Sequence, residues 1–368
     1  MTHRLRSAAL VLAAATTTSL ALAVPAHAAP GSGPGGVTVI AQGLDDPFGL
    51  ASENGRFYVA ESSAGEISGI IPGGTPSVRL AGFAGPSGVD RRDGTLYVVT
   101  GEAQQPGASG GSLLWSSRRG EPRRVLADLM AYELANNPDG QRQFGDDGAP
   151  LDALSNPFAV LAGRGGDARV FVADAGANAV LAVGPSGRVS TFFVPPVVTT
   201  GACEGVPNND PEHTGCDSVP TGLAWGPDGH LYVSTLSGEA PGEGRVYALD
   251  AGDGSVVDEV SGFTAPTGVA VGDDGTVFVS ELLEGAPAGD GPPPPDFDPA
   301  SVGRIVAVAP DGSRSAAQVA MPLGLRFTGG HLYSTAFSVA GLFLGQPGLG
   351  QVVRVDDSAF APLDDPAS

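Results

Sequence analysis

Val219-Pro-Thr-Gly-Leu-Ala-Trp-Gly-Pro-Asp-Gly-His-Leu-Tyr-Val-Ser-Thr235 is the cleanest copy of a unit that recurs along the chain. A Pro-x-Gly-apolar opening feeds a short strand, Asp228-Gly229 turns it, and Leu231-Tyr-Val233 begins the return. An Asp-Gly pair between two β-rich runs is the strongest short-range hairpin signal, because the tight turn wants positive φ at its central residues. The unit recurs as Asp46-Pro-Phe-Gly49 with Phe57-Tyr-Val59, and as Gly85-Pro-Ser-Gly88 with Asp93-Gly-Thr-Leu-Tyr-Val98. Asn156-Pro-Phe158 goes with Val170-Phe-Val172, Ala265-Pro-Thr-Gly268 with Asp274-Gly-Thr-Val-Phe-Val279, and Met321-Pro-Leu-Gly324 with Gly330-His-Leu-Tyr333.

Each repeat continues into a third strand: Glu66–Ile70, Ser112–Trp115, Ala179–Val183, Arg245–Leu249, Arg304–Val308 and Gln351–Val355. Five add a fourth: Val78–Leu80, Arg123–Leu126, Val189–Phe193, Val256–Val260 and Ala316–Val319. The sixth repeat lacks one, while Val37–Ala41 stands unassigned ahead of the first. Pairing Val37–Ala41 with Gln351–Val355 closes a ring and removes the exposed edges of an open array. The expectation is an all-β chain: a six-bladed β-propeller of four-stranded blades over residues 37–357, with a tail over 358–368.

Residues 1–28 read as a secretory signal peptide, with a basic start, an apolar run from Ala8 to Val24 and the small-x-small site Ala26-His-Ala28. Residues 29–36 form a flexible leader. The reading is therefore a secreted monomer, with no membrane insertion once the signal is cleaved. Net charge is −21, with 19 basic against 40 acidic side chains. Such a surface repels nucleic acid and anionic membranes. Every basic side chain is Arg, so Lys-based Schiff chemistry is excluded. Cys203 and Cys216, the only two cysteines, read as a disulfide in an exported protein; the competing redox pair lacks the Cys-x-x-Cys spacing.

The unit resembles the NHL-type propeller repeat. The whole stretch from about Val37 to Val355 resembles the ScyD/ScyE family of exported propellers through several segments. These are Tyr132-Glu-Leu-Ala-Asn-Asn-Pro-Asp-Gly140, Ser155-Asn-Pro-Phe158, Val172-Ala-Asp-Ala-Gly-Ala-Asn178, Val219-Pro-Thr-Gly222, Gly226-Pro-Asp-Gly229 and Gly262-Phe-Thr264. The resemblance implies a six-bladed propeller and carries no reaction with it. A Pro-rich insertion at Gly291–Pro299 departs from the repeat's form.

Propeller topology puts the short first-to-second turns on one face and every long connection on the other: 101–111, 128–155, 195–219, 235–244, 282–301 and 336–350. Long loops placed by a rigid scaffold are the expected working surface. Glu61, Asp174 and Glu281 leave the second strands of repeats one, three and five toward that face. They either converge as Ca²⁺ ligands or each accept backbone N–H bonds within their own loops. Asn136, Asn137 and Asp139, with Asp146, Asp147 and Asp152, form a second oxygen-rich cluster; Asp139, Asp152 and Asn156 are the metal candidates. No cofactor is certain, and Ca²⁺ is the one these oxygen donors suit.

Gluconolactonase-like propellers, which are Ca²⁺ hydrolases, place Glu, Asn and Asp near the axis. The matching positions here are Phe48, Ser87, Phe158, Thr221, Thr267 and Leu323, none charged; Asp46 and Asn156 are the nearest substitutes. Gly107-Ala-Ser109-Gly-Gly111 matches a nucleophile motif by letter but sits in a Gly-rich loop. Only His213, His230 and His331 follow the signal peptide, so a His-rich zinc or quinone-cofactor site is nearly excluded. The expected function is binding of a small molecule, glycan or extracellular protein on the long-loop face, with no activity assigned. The alternative is a Ca²⁺-dependent hydrolase or lactonase.

Overall fold

The computed structural model describes residues 35–102, 110–287 and 297–363. The signal peptide, most of the leader, the Gly107–Ser109 motif and most of the Pro-rich insertion lie outside the described residues. The chain forms six antiparallel sheets in a ring, five of four strands and one of five. Blade 1 runs Pro47–Glu53, Arg56–Glu61, Glu66–Ile70 and Ser77–Ala81; blade 2 runs Pro86–Arg92, Thr95–Thr100, Leu113–Arg118 and Arg124–Asp128. Blades 3 to 5 repeat the plan from Pro157, Ser218 and Pro266. Blade 6 takes Leu325–Thr328, His331–Ala336 and Gly350–Val355, and its outer strand is Val37–Leu44. Val37 pairs with Val355 and Leu44 with Gly350, so the strand ahead of blade 1 closes the ring.

The Pro-x-Gly opening has a mechanical meaning. In blades 2, 4 and 5 the ladder shifts between Pro and Gly (Pro86/Gly88, Pro220/Gly222, Pro266/Gly268), which leaves the middle residue as a bulge. Proline stands first in the strand in blades 2 and 5 and third in blade 4, close to the strand's start where proline is tolerated. Glycine follows because neighbouring innermost strands nearly touch. A Cβ on Gly268 would lie 2.2 Å from the Leu323 carbonyl oxygen, and one on Gly49 would lie 2.8 Å from Gly88 Cα. Bulged hydroxyls then stitch one blade to the next: Ser87 Oγ donates to the Pro157 carbonyl (2.6 Å) and Thr221 Oγ1 to that of Pro266 (2.9 Å).

The core is a series of apolar clusters within and between neighbouring blades. One, for example, joins Phe171, Val180 and Phe193 of blade 3 to Leu231, Val233 and Tyr247 of blade 4. Two features exceed the repeat pattern. Leu129–Asn136 is a helix inside the 128–155 connection, capped by Asp128, whose side chain accepts from Ala131 N–H, and ended by Asn137 at φ 45°. After Asp357 the chain docks again: Ala361–Pro362 adds a short fifth strand to blade 5, and Phe360 packs on Phe278. No helix among the described residues is long and apolar enough to cross a membrane.

Candidate functional site

Two regions of the long-loop face compete. The first is the axis. The six innermost strands surround a channel of about 50 Å³ whose lining includes Phe48, Ser87, Phe158, Thr221, Thr267 and Leu323. Phe48 and Phe158 face each other with ring centroids 6.1 Å apart, and Leu282, Leu323 and Val339 pack beside them. Deeper in, Asp90 accepts from Ala162 N–H (2.8 Å) and faces Arg326 Nη1 at 3.5 Å. Burial raises the Asp90 carboxyl above its ordinary range, and Arg326 opposes the shift. This pair, a buried carboxylate and a half-buried guanidinium, bridges blades 2 and 6; sequence reading missed it, since nothing in Gly-Val-Asp or Leu-Arg-Phe announces a partner so far along the chain.

The second region lies over blade 3. The helix Leu129–Asn136, the segment after it and the disulfide loop enclose a cavity of about 30 Å³, with Glu133, Asp139, Asp152, Asp210 and Asp217 in its lining. A water needs roughly 10–15 Å³ of such space, so the cavity holds one or two waters or one ion, not a sugar. Cys203 and Cys216 form the expected disulfide, Cα atoms 5.4 Å apart, and it fixes the loop that brings in Asp217. Side-chain amides partner the carboxylates: Asn178 donates to Asp139 (2.9 Å), Asn209 to Asp152 (2.5 Å), and Gln141 and Asn208 to Asp217 (2.7 and 2.8 Å).

The electrostatics are one-sided. Burial raises Asp152 and Asp217 above the ordinary carboxyl range, and the Asp139 charge adds to each. Burial pushes Glu133 up to about 7, Asp139 and Asp174 adding to it against the Gln143 hydrogen bond. Glu133 is 3 % exposed. Its Oε1 accepts from Gln143 (2.8 Å), while Oε2 is buried without a partner. Only Asp210 is lowered, mainly by backbone N–H bonds from Arg142 and Glu212, with His213 assisting. The guanidinium of Arg142 bonds Asp146 on the exterior.

Asp139 and Asp152, then, share the cavity. Asn136 is exposed and bonds back to the Tyr132 carbonyl (2.9 Å). Asn137 donates to Gln141 O, and Asn156 Oδ1 accepts from Glu102 N–H (3.0 Å) outside the cavity lining. Glu61, Asp174 and Glu281 each bond the turn entering their own blade. They accept from Asp45 N–H (2.8 Å), Asn156 N–H (2.7 Å) and Thr264 N–H (2.6 Å) respectively. Ser155 also donates to Asp174 (2.7 Å), whose burial pushes it up to about 6; Arg304 pairs with Glu281 (2.5 Å). Asp46 caps the short Ala340–Leu344 helix through Gly341 N–H (2.8 Å), a tie between blades 1 and 6. Glu133 and Asp217 were missed by sequence reading: one sits inside an unforeseen helix, the other reads as a residue next to a cysteine.

No protein-family model matches the chain, and no curated protein sequence matches it. Solved structures do share its fold. A gluconolactonase from Xanthomonas campestris superposes with TM-score 0.54 at 13 % identity, covering 87 % of this chain and 89 % of that one. A luciferin-regenerating enzyme gives 0.53 at 13 %, over 88 % and 94 %. The PQQ-bound aldose sugar dehydrogenase of Streptomyces coelicolor gives 0.51 at 14 %, over 87 % and 97 %. Three different activities on one scaffold show the architecture, and at these identities only that.

Proposed function

We propose that this chain is an exported binding propeller of the ScyD/ScyE type, and that the cavity over blade 3 takes a divalent cation, Ca²⁺ before others. The observation that carries the reading is the acid group there, five carboxylates against the single lining cation Arg142, with Glu133 Oε2 buried and unpartnered. Hard oxygen donors from carboxylates, amide carbonyls and waters are what Ca²⁺ takes. Among the described residues no three acidic, His or Cys side chains already converge as a direct ligand set, so water supplies part of the shell. The cation would lock the helix and the disulfide loop together and set the shape of the long-loop face for a larger partner, a glycan or an extracellular protein.

The test is thermal melting of the purified protein with millimolar Ca²⁺ and with EDTA. A ligand that binds only the native state raises Tm, and Asp152→Asn with Asp217→Asn should abolish the rise. An unchanged Tm in both conditions sinks the proposal. A Ca²⁺-dependent lactonase is the second reading, favoured by the gluconolactonase neighbour. It ranks lower because Phe48, Phe158 and Leu323 fill the long-loop end of the axis, and the Ser87 and Thr221 hydroxyls are bonded to proline carbonyls. Lactone turnover lost with EDTA would reverse that ranking.

A further inference from the structure

The short-turn face carries a feature that the repeat plan does not require. Between blades 1 and 2 lies an open groove of about 670 Å³ lined by Arg56, Arg79, Arg91, Arg118 and Arg119, with Glu53 and Glu121 as its acids. A second groove, about 350 Å³ between blades 2 and 3, shares the Arg118 and Glu121 wall and adds Arg92, Arg124 and Arg169, with Asp93 as a further acid. Eight of the chain's 19 basic side chains thus gather in two adjoining grooves of a protein whose net charge is −21.

Some of these arginines are structural. Arg91 bonds Glu53 (2.5 Å) and Tyr58, Arg169 pairs with Asp167 (2.8 Å), and Arg92 pairs with Asp93 (3.3 Å) and reaches backbone carbonyls such as Gly165 O (2.6 Å). Arg56, Arg79, Arg118 and Arg119 differ: none has a carboxylate within 4.0 Å among the described residues. Arg79, Arg118 and Arg119 are exposed. The fold supplies its own control. The corresponding groove between blades 4 and 5, about 500 Å³, carries Arg314 against Asp258 and Asp274. Basic character therefore belongs to these two grooves and not to propeller grooves in general.

We infer that the paired grooves bind an anionic oligomer carrying carboxylate or phosphate groups along its length, such as an acidic polysaccharide. Guanidinium forks match both groups in two-pronged geometry. A volume of several hundred Å³ suits a short oligomer, and the shared Arg118–Glu121 wall makes one track of the two grooves. Because the rest of the surface repels anions, the ligand must carry its charge densely enough to gain from these arginines at short range.

The test is titration of the purified protein at low ionic strength with two probes: an oligogalacturonate for carboxylate and a short polyphosphate for phosphate. Binding of either supports the site, the stronger one naming the group, and affinity should fall as salt is added. Arg118→Gln with Arg119→Gln, at an exposed turn where folding is not at risk, should weaken binding roughly tenfold, as loss of two charge-assisted contacts would. Arg314→Gln should leave it unchanged. The inference is overturned by a wild-type protein that binds neither probe, by an arginine pair variant that binds as well as wild type, or by equal loss in Arg314→Gln.

Discussion

The ring mouth and the cavity over blade 3 lie on the same face and are built in opposite ways. At the mouth, Phe48, Phe158 and Leu323 fill the space and the nearby hydroxyls have partners in the next blade. Over blade 3, carboxylates crowd a small space with one oxygen left unpartnered. The mouth is optimised for packing; the cavity is held at an electrostatic cost. Sites where native proteins tolerate such a cost are candidates for function, and here that criterion points away from the mouth; deeper in the axis the buried carboxylate of Asp90 has Arg326 beside it.

The largest effect expected is one that removes the scaffold both regions depend on. Starting the chain at residue 42 deletes most of the strand Val37–Leu44 that pairs Val37 with Val355, and Tm should fall by more than about 10 °C. An unchanged melting curve would mean the ring does not need its closure. Gly268→Ala tests the axis alone. Its Cβ would meet the Leu323 backbone carbonyl at 2.2 Å, and backbone cannot yield cheaply, so a loss of about 2–4 kcal/mol is expected in denaturant unfolding. A neutral result would show that the innermost strands are less tightly set than the distances say.

Glu133→Gln tests the cavity alone, and its sign is opposite. The folded carboxyl is raised from 4.5 to about 7. Its favourable contribution is therefore present below about pH 4.5 and lost as pH rises through 7, where the folded state must hold the charge. Without cation, the Gln variant should be more stable than wild type by about 1–2 kcal/mol at pH 8, with the difference shrinking toward pH 5. Urea unfolding at the two pH values measures it; a variant less stable at pH 8 would show that the carboxylate is well accommodated.

The hairpins were readable because Asp-Gly turns and alternating β-rich runs are local signals, and the closing strand followed from counting what the sixth repeat lacked. The meaning of Pro-x-Gly was not readable: the glycine answers to the backbone of the next blade, which no local window contains. Asp139 and Asp152 stood out as oxygen-rich loop residues. Asn136 stood out equally, yet it turns back on its own helix. Asp217 joins the cavity only through the loop that Cys203 and Cys216 close, and Glu133 through a helix whose Asp128 and Asn137 ends are legible only in hindsight. Glu61, Asp174 and Glu281 are equivalent by repeat position, and that same equivalence directs each to its own blade.

Val37 and Val355 stand nearly a whole chain apart, and they are neighbours in the ladder that closes the ring. The strand Val37–Leu44 has no partner until Gly350–Val355 has been made. Up to that moment five blades can assemble in order by local contacts, while the strand of the sixth that ends at Val355 shows a bare edge. Folding should accordingly end on a slow step with the high contact order of that single pairing. A nascent chain held before residue 350 would remain an open arc, unable to hide the edge that the finished ring conceals.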